Sequence, residues 1–468
     1  LCLRFARAAH TVLGPVLHAV NQVVYEGGLR PKHGPGATAD RLKANAKWDN
    51  RTWTERLEGV GCYAGEYLFP SWSHYLEDET GVTWLEPDAE IPARVVSVPK
   101  TLKTPRIIAI EPTYNQYVQQ AIKDELVKEI GVSQLRSIIG FDDQHVNNDL
   151  ACQGSINGDL ATLDLSEASD RVSNQLVRAM LSQTPHLHDV VAACRSEFAD
   201  VPGHGTTRLS KFASMGSALT FPIEGMVFAT ICFMGIAEAL NTPLTAGLVK
   251  RYRGKVRVYG DDLIVPVETV RSVVRLLELY GLKVNDTKSF WTGRFRESCG
   301  KEYYAGHDVS IVKVKTALPT QRKHAHEIIS TVALRNHMYI SGNWRTAEYL
   351  DRGLGKIIPF PMVTAESQAL GRQSYLGSSV ERECPVLQRP LVRAAVVDSK
   401  IPKSHLEGPG ALMKFFLTRV ENPDSYNDLL YGRKLPPFDE EPVNRKDHLL
   451  RAGRPEVVDI KLRWVSPY

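Results

Sequence analysis

The sequence predicts an α+β protein built around an antiparallel sheet with helices on one face. Three observations predict it. A short apolar strand, Ala161 to Leu165, leads into a helix capped by Ser166. A Ser/Gly stretch then opens a long apolar helix from about Phe221. Two β-rich runs, Lys255 to Tyr259 and Leu263 to Val267, flank Gly260-Asp261-Asp262 in the pattern of a hairpin. An amphipathic helix over about Val270 to Tyr280 and a further strand-like segment follow. Strand, helix, helix, hairpin, helix, strand is the order expected when helices cover one side of an antiparallel sheet.

Around this centre the pattern is looser. From Leu1 to about Glu90, helical patches alternate with turn clusters such as Gly34-Pro35-Gly36 and with Trp48, Trp53, Trp72 and Trp84. Four basic residues fall between Arg94 and Arg106, and Pro112 opens a helical pattern to about Ile130. Beyond Leu318, helical stretches near Ile328 and Ala411 give way to Pro-rich segments and a charged tail, which reads as a separate, mostly helical lobe. The division is 1–155, 156–317 and 318–468.

Composition sets the class. With 468 residues, 43% hydrophobic and 24% charged, the chain has the make-up of a globular protein with several subdomains rather than a disordered one. A net charge of +4 is too small to attract polyanions without local clusters. Seven cysteines lack any C-x-x-C spacing, which suggests neither a disulfide framework nor a zinc site and fits a reducing compartment. The run Met226 to Leu240 is shorter than a membrane span and carries Glu238, with Glu224 just ahead of it, so it reads as a buried helix. A chain beginning at Leu1 reads as a fragment.

The sharpest chemical feature is Tyr259-Gly260-Asp261-Asp262. Gly and Asp are ordinary hairpin residues, but two adjacent carboxylates at a hairpin tip repel each other and favour a compensating cation. Mg²⁺ suits them because it prefers oxygen and uses few carboxylates together with substrate phosphates. Asp164, at the carboxyl end of the Ala161 to Leu165 strand, is the second feature. A sheet that set it beside Asp261, with Asp262 in support, would let two ions sit roughly 3.5–4 Å apart, as in-line nucleotidyl transfer requires. Asp170, with Ser169, is offset to hydrogen-bond a ribose hydroxyl. The loop Ser214-Met215-Gly216-Ser217, running on to Thr220, offers small side chains and backbone N–H groups to a sugar-phosphate chain. Upstream, Lys100, Lys103 and Arg106 are spaced by threes and suit a triphosphate. Lys288 suits a general acid for departing pyrophosphate. Each has an ordinary structural reading when taken alone; their order along the chain is what informs.

These segments resemble the motif series of viral RNA-dependent RNA polymerases. Lys100, Lys103 and Arg106 resemble motif F, Asp164 to Asp170 motif A, Ser214 to Thr220 motif B, Tyr259 to Asp262 motif C, Lys288 motif D and Phe295 to Gly300 motif E. Val98-Pro99-Lys100, Glu111-Pro112, Asp164-Leu165-Ser166 with Ala168-Ser169-Asp170, and Phe295 to Lys301 are similar more narrowly to the replicases of RNA bacteriophages, the levivirus family. His33-Gly34-Pro35-Gly36 also resembles a family element. The resemblance covers roughly residues 32–315. It implies a right-hand polymerase fold of fingers, palm and thumb, two Mg²⁺ ions for which Mn²⁺ can substitute, RNA template and product, and ribonucleoside triphosphates. It also implies host translation factors and a ribosomal protein as further subunits, no membrane, and the cytoplasm of an infected bacterium. One departure stands out: the Asn that motif B often carries is missing from Ser217 to Thr220, which leaves ribose selection to Asp170 with Ser214 or Thr220.

The function expected is therefore RNA-directed RNA polymerisation. A reverse transcriptase is the nearest rival, although such enzymes usually place a bulky aromatic after the motif A aspartate where this chain has small residues and Asp170. A non-catalytic RNA-binding protein with a palm-like domain is the other, and the full set of acidic residues argues against it.

Overall fold

The computed structural model describes residues 1–78, 81–99, 104–400, 405–419 and 457–468. They fall into two contact-dense units. The first takes in Leu1–Val96 and Ile107–Ser310 together with the helix Gly408–Arg419, and the second takes in the described parts of Ser97–Arg106, Ile311–Lys403 and Ala452–Tyr468. Lys100 and Lys103 lie outside the described residues.

In the first unit, helix α1 (Cys2–Tyr25) buries a stripe of Phe5, Ala9, Val12, Leu13, Val16 and Val20 at helical spacing. Strands β1 (Ala93–Pro99) and β2 (Pro105–Ile110) precede helix α2 (Thr113–Val132), the helix expected after Pro112. Against α2 sits the His33-Gly34-Pro35-Gly36 segment: the His33 ring stacks on Tyr117 at 4.1 Å, and the buried Lys47 ammonium donates to the Gly34 carbonyl at 2.8 Å.

The central sheet is built on strand β3 (Leu160–Asp164), followed in the chain by helix α3 (Thr220–Ala239), strands β4 (Arg257–Tyr259) and β5 (Asp262–Pro266), and helix α4 (Val270–Leu279). The strand order is β3-β5-β4, all antiparallel. Short bridges extend it on both flanks, Ile139 beside Val258 and Phe290 beside Thr162. Each strand begins or ends within two residues of the position expected from its pattern, the usual latitude of strand ends.

Helix α3 is apolar around its whole circumference and is buried from Ile223 through Ala237. It is long and apolar enough by length and composition to cross a membrane, yet it is a core helix here. It packs closely against α4: a first side-chain carbon at Gly235 would stand 2.6 Å from the Val273 Cα.

Two expectations are corrected. Ser166 does not cap a helix. Its backbone N–H donates to the Lys283 carbonyl at 2.8 Å, extending the sheet edge, and the short helix Ala168–Arg171 begins after Glu167, whose φ is +54°. Among its described residues the C-terminal lobe is not mostly helical. Besides helices Ala325–Ile340 and Trp344–Gly355, the second unit holds a four-stranded sheet in which Pro390–Lys400 pairs antiparallel with Val457–Val465. The β-branched residues of the first of these strands are diluted by Arg393, Ala394 and Ala395, so no clean alternation marks it in the sequence.

The α3–α4 approach gives a test of packing. Gly235→Ala improves helix propensity by about 1 kcal/mol, but the added methyl meets backbone. The variant is expected to be less stable than wild type by about 1–3 kcal/mol of overpacking strain in urea denaturation, whereas a stabilised variant would show that the two helices separate freely.

Candidate active site

The pairing of β3 with β5 runs in register from Leu160 opposite Pro266 to Asp164 opposite Asp262. One step further, the Leu165 N–H donates to the Asp261 carbonyl at 3.2 Å. Asp164, Asp261 and Asp262, nearly a hundred positions apart in sequence, thus share one end of one strand pair. The hairpin that presents the last two turns at Gly260, with φ +57°. A side chain there would also strike the Phe221 ring, 2.7 Å from the position of its first carbon, so glycine is required twice over. Tyr259 locks the turn from the side, its ring edge-on to Phe221 at 5.4 Å and its hydroxyl donating to the Phe141 carbonyl at 3.0 Å.

Each aspartate has its own surroundings. Asp261 is exposed. Asp164 is oriented by the segment after the sheet: Asn285 Nδ2 donates to its Oδ2 at 2.9 Å, and its backbone N–H donates to Ser289 Oγ at 3.1 Å. Lys288 stands with Nζ 4.0 Å from Asp164 Oδ1 and is half exposed, a loose ion pair. Asp262 turns to the β-hairpin Phe295–Ser298/Lys301–Tyr304 and accepts from the backbone N–H and thiol of Cys299. Burial, reinforced by the charges of Asp261 and Asp164, pushes the Asp262 carboxyl up to about 7.

Asp170, also exposed, is paired with Lys211 at 2.6 Å. The Ser214 to Thr220 loop is stitched to itself and to its neighbours. Thr220 Oγ1 donates to the Ser214 carbonyl at 2.7 Å, Ser217 Oγ donates to Gln119 Oε1 at 3.1 Å, and the Ala109 N–H donates to the Met215 carbonyl at 2.9 Å. Gly216 has φ +131°, and a first side-chain carbon would lie 2.0 Å from the Ala109 carbonyl oxygen, so only glycine lets the loop lie against β2. Ser214 and Thr220 are both buried. Arg106 lies exposed on β2, in the stretch grouped with the second unit.

Two residues at the site escaped the sequence reading. Asn285 holds Asp164, and nothing in its sequence surroundings marks it. Glu224, one turn into the apolar helix α3, is buried, and its Oε2 has no hydrogen-bond partner among the described residues. Burial first, then the charges of Asp261 and Asp170, push its carboxyl up to about 8. A lone acid in an otherwise apolar run was the available signal.

The donor set is oxygen throughout. Among the described residues no three His, Cys, Asp or Glu side chains are gathered closely enough to hold a metal ion by themselves. The adjacent strand ends of Asp164 and Asp261 therefore fit a cation that takes one or two carboxylates and completes its shell with water and phosphate, which describes Mg²⁺.

The chain matches the model of a family described as RNA replicase, beta-chain, over residues 86–332, a span that contains every candidate site residue. It is 33% identical over 263 residues to the RNA-directed RNA polymerase subunit beta of Qbeta virus (strain MX1), covering 55% of this chain and 40% of that protein. It is 38% identical over 222 residues to the RNA-directed RNA polymerase beta chain of Escherichia phage MS2, covering 47% and 37%. The chain thus matches about two fifths of the length of these curated relatives. Among solved structures it is similar to the RNA-dependent RNA polymerase from bacteriophage phi12, with a TM-score of 0.38 and 14% identity over 53% of this chain and 44% of that one.

The carboxyl of Asp262 supplies a pH test. Raised to about 7 from 3.8, it binds its proton more tightly folded than unfolded, so its stabilising contribution is full at low pH and is lost as the pH climbs through 7. In divalent-free buffer, Asp262→Asn is expected to lose less stability than wild type between pH 5 and pH 8 in urea denaturation. A difference between the two that stays constant across that range would contradict the assignment.

Proposed function

The chain belongs to the RNA replicase beta-chain family, and from that premise we propose that it carries the nucleotidyl-transfer centre of an RNA-directed RNA polymerase that copies a positive-strand RNA phage genome. The observation that carries the proposal is the register that sets Asp164 opposite Asp262, with Asp261 at the same strand ends. In the reaction the 3′-OH of the growing RNA attacks the α-phosphorus of a ribonucleoside triphosphate. A new O–P bond forms, the bond to the β-phosphate oxygen breaks, and pyrophosphate leaves with the bonding pair. Asp164 and Asp261 would hold two Mg²⁺ ions, which when bound neutralise the phosphates and ease loss of the 3′-OH proton. Asp262 supports the pair from beneath through its bonds to Cys299. Asn285 keeps Asp164 turned to the site. Lys288, half exposed beside Asp164, is suited to give a proton to the departing pyrophosphate. Lys100, Lys103 and Arg106 bind the triphosphate, and Asp170 reads the sugar with the Ser214–Gly216–Thr220 loop as its platform. Positioning and charge neutralisation then do most of the catalysis, as phosphoryl transfer allows.

The wider reading follows the same premise. The fold is the right hand of fingers, palm and thumb, with the β3-β5-β4 sheet in the palm. The partners are template RNA, product RNA and host translation proteins recruited as further subunits, and the setting is the cytoplasm of an infected bacterium.

The test is incorporation of labelled nucleotides on short cytidine-ended RNAs, with rNTPs or dNTPs, with and without bacterial extract. Wild type is expected to incorporate rNTPs. Asp164→Asn and Asp261→Asn are each expected to lose several kcal/mol of transition-state stabilisation, roughly a thousandfold in rate. Variants as active as wild type would end the reading, and incorporation of dNTPs alone would turn it to a reverse transcriptase. Activity only with extract would point to the recruited subunits.

A further inference from the structure

Glu224 is a carboxylate that the fold alone does not explain. It sits in the first turns of α3, a largely apolar helix, with 8% of its surface exposed. One of its oxygens, Oε2, has no hydrogen-bond partner among the described residues. A buried polar atom left in that state is destabilising, so an apolar residue would serve the helix better. Its direction is informative. Phe221 and Glu224, three positions apart on one helix face, both meet the Gly260 turn: a first side-chain carbon at Gly260 would lie 2.7 Å from Phe221 Cε2 and 3.6 Å from Glu224 Oε1. The carboxyl therefore lies against the turn that carries Asp261.

We propose that Glu224 is a positioning residue of the divalent-cation site, accepting hydrogen bonds from the hydration water of an ion held by Asp164 and Asp261. This rests on the polymerase reading of the same site. The charged groups that act on Glu224 are Asp261 and Asp170, both negative, and Asp170 is itself paired with Lys211. A hydrated cation brings what these surroundings lack, positive charge and O–H donors together. Mg²⁺ dehydrates reluctantly and keeps several waters, so a carboxylate one water away contributes without standing at ligand distance. That agrees with the finding that no three acidic side chains among the described residues close on a single point. Partners in this outer position fix the ligands and tune affinity nearly as strongly as the ligands themselves.

Mn²⁺ binding to the full chain, read from the loss of the free-ion electron paramagnetic resonance signal, tests this alongside thermal melting. Wild type, Glu224→Gln, Glu224→Met and Asp261→Asn are compared. Both Glu224 variants are expected to bind Mn²⁺ about tenfold more weakly while melting at the same or a higher temperature. Two variants allow one to misfold without losing the test. Unchanged Mn²⁺ affinity in the Glu224 variants, with affinity lost in Asp261→Asn, would overturn this inference and leave the site reading intact. Unchanged affinity in Asp261→Asn would overturn the site reading itself. Lower melting temperatures in both Glu224 variants would assign the residue to packing.

Discussion

The antiparallel pairing of Leu160–Asp164 with Asp262–Pro266 fixes the acidic residues of the site, because a one-residue slip would turn every side chain of a strand to the other face. Burial holds the register. Leu160, Ala161, Leu163, Leu263, Ile264 and Val265 are all buried, on both faces of the sheet, so a slipped ladder would move each side chain out of its own packing and into that of the opposite face. The hydrophobic residues behind the carboxylates thus bring them to one strand end, and local bonds such as that of Asn285 to Asp164 then orient them. Helix α3 braces the same point from below through Phe221, and the close α3–α4 contact at Gly235 keeps α3 in place.

This placement sets folding against chemistry. Four acids, Asp164, Asp261, Asp262 and Glu224, surround one turn, and the structure moderates their repulsion locally. Asn285 and Lys288 face Asp164, Cys299 donates to Asp262, and Lys211 pairs with the nearby Asp170. Among the described residues no such partner reaches Glu224 Oε2. Strain kept at a site and offset elsewhere is the usual mark of function over stability. Here it concentrates at Glu224 and Asp262, whose carboxyls burial and neighbouring charge push up.

How much of this was legible in the sequence follows from what each residue depends on. The hairpin could be read because glycine and two aspartates between β-rich runs is a local pattern, and Asp164 because it ends an apolar strand. Glu224 was hidden by its context: a helix apolar on every side reads as core, and its acid served only as an argument against a membrane span. Asn285 was hidden because its role exists only through a contact with a residue 121 positions away. The sheet of the second unit was missed for a related reason, since Pro390–Lys400 finds its partner at Val457–Val465, across a long stretch of chain. Local periodicity reports local structure, and these features are set by pairing at long range.

The loop from Ser214 to Thr220 carries the same point into recognition. Its sequence of small residues and hydroxyls suggested direct contact with a sugar. In the structure the Thr220 hydroxyl is engaged by the Ser214 carbonyl, the Ser217 hydroxyl by Gln119, and Gly216 is pressed against Ala109. Those groups give the loop its shape. Among the residues expected to read the sugar, Asp170 is the one whose carboxylate is exposed, and it stands beside the aspartate hairpin rather than within the loop. The hydroxyls of Ser217 and Thr220 are thus committed to the shape of the loop, while the exposed Asp170 carboxylate is paired with Lys211.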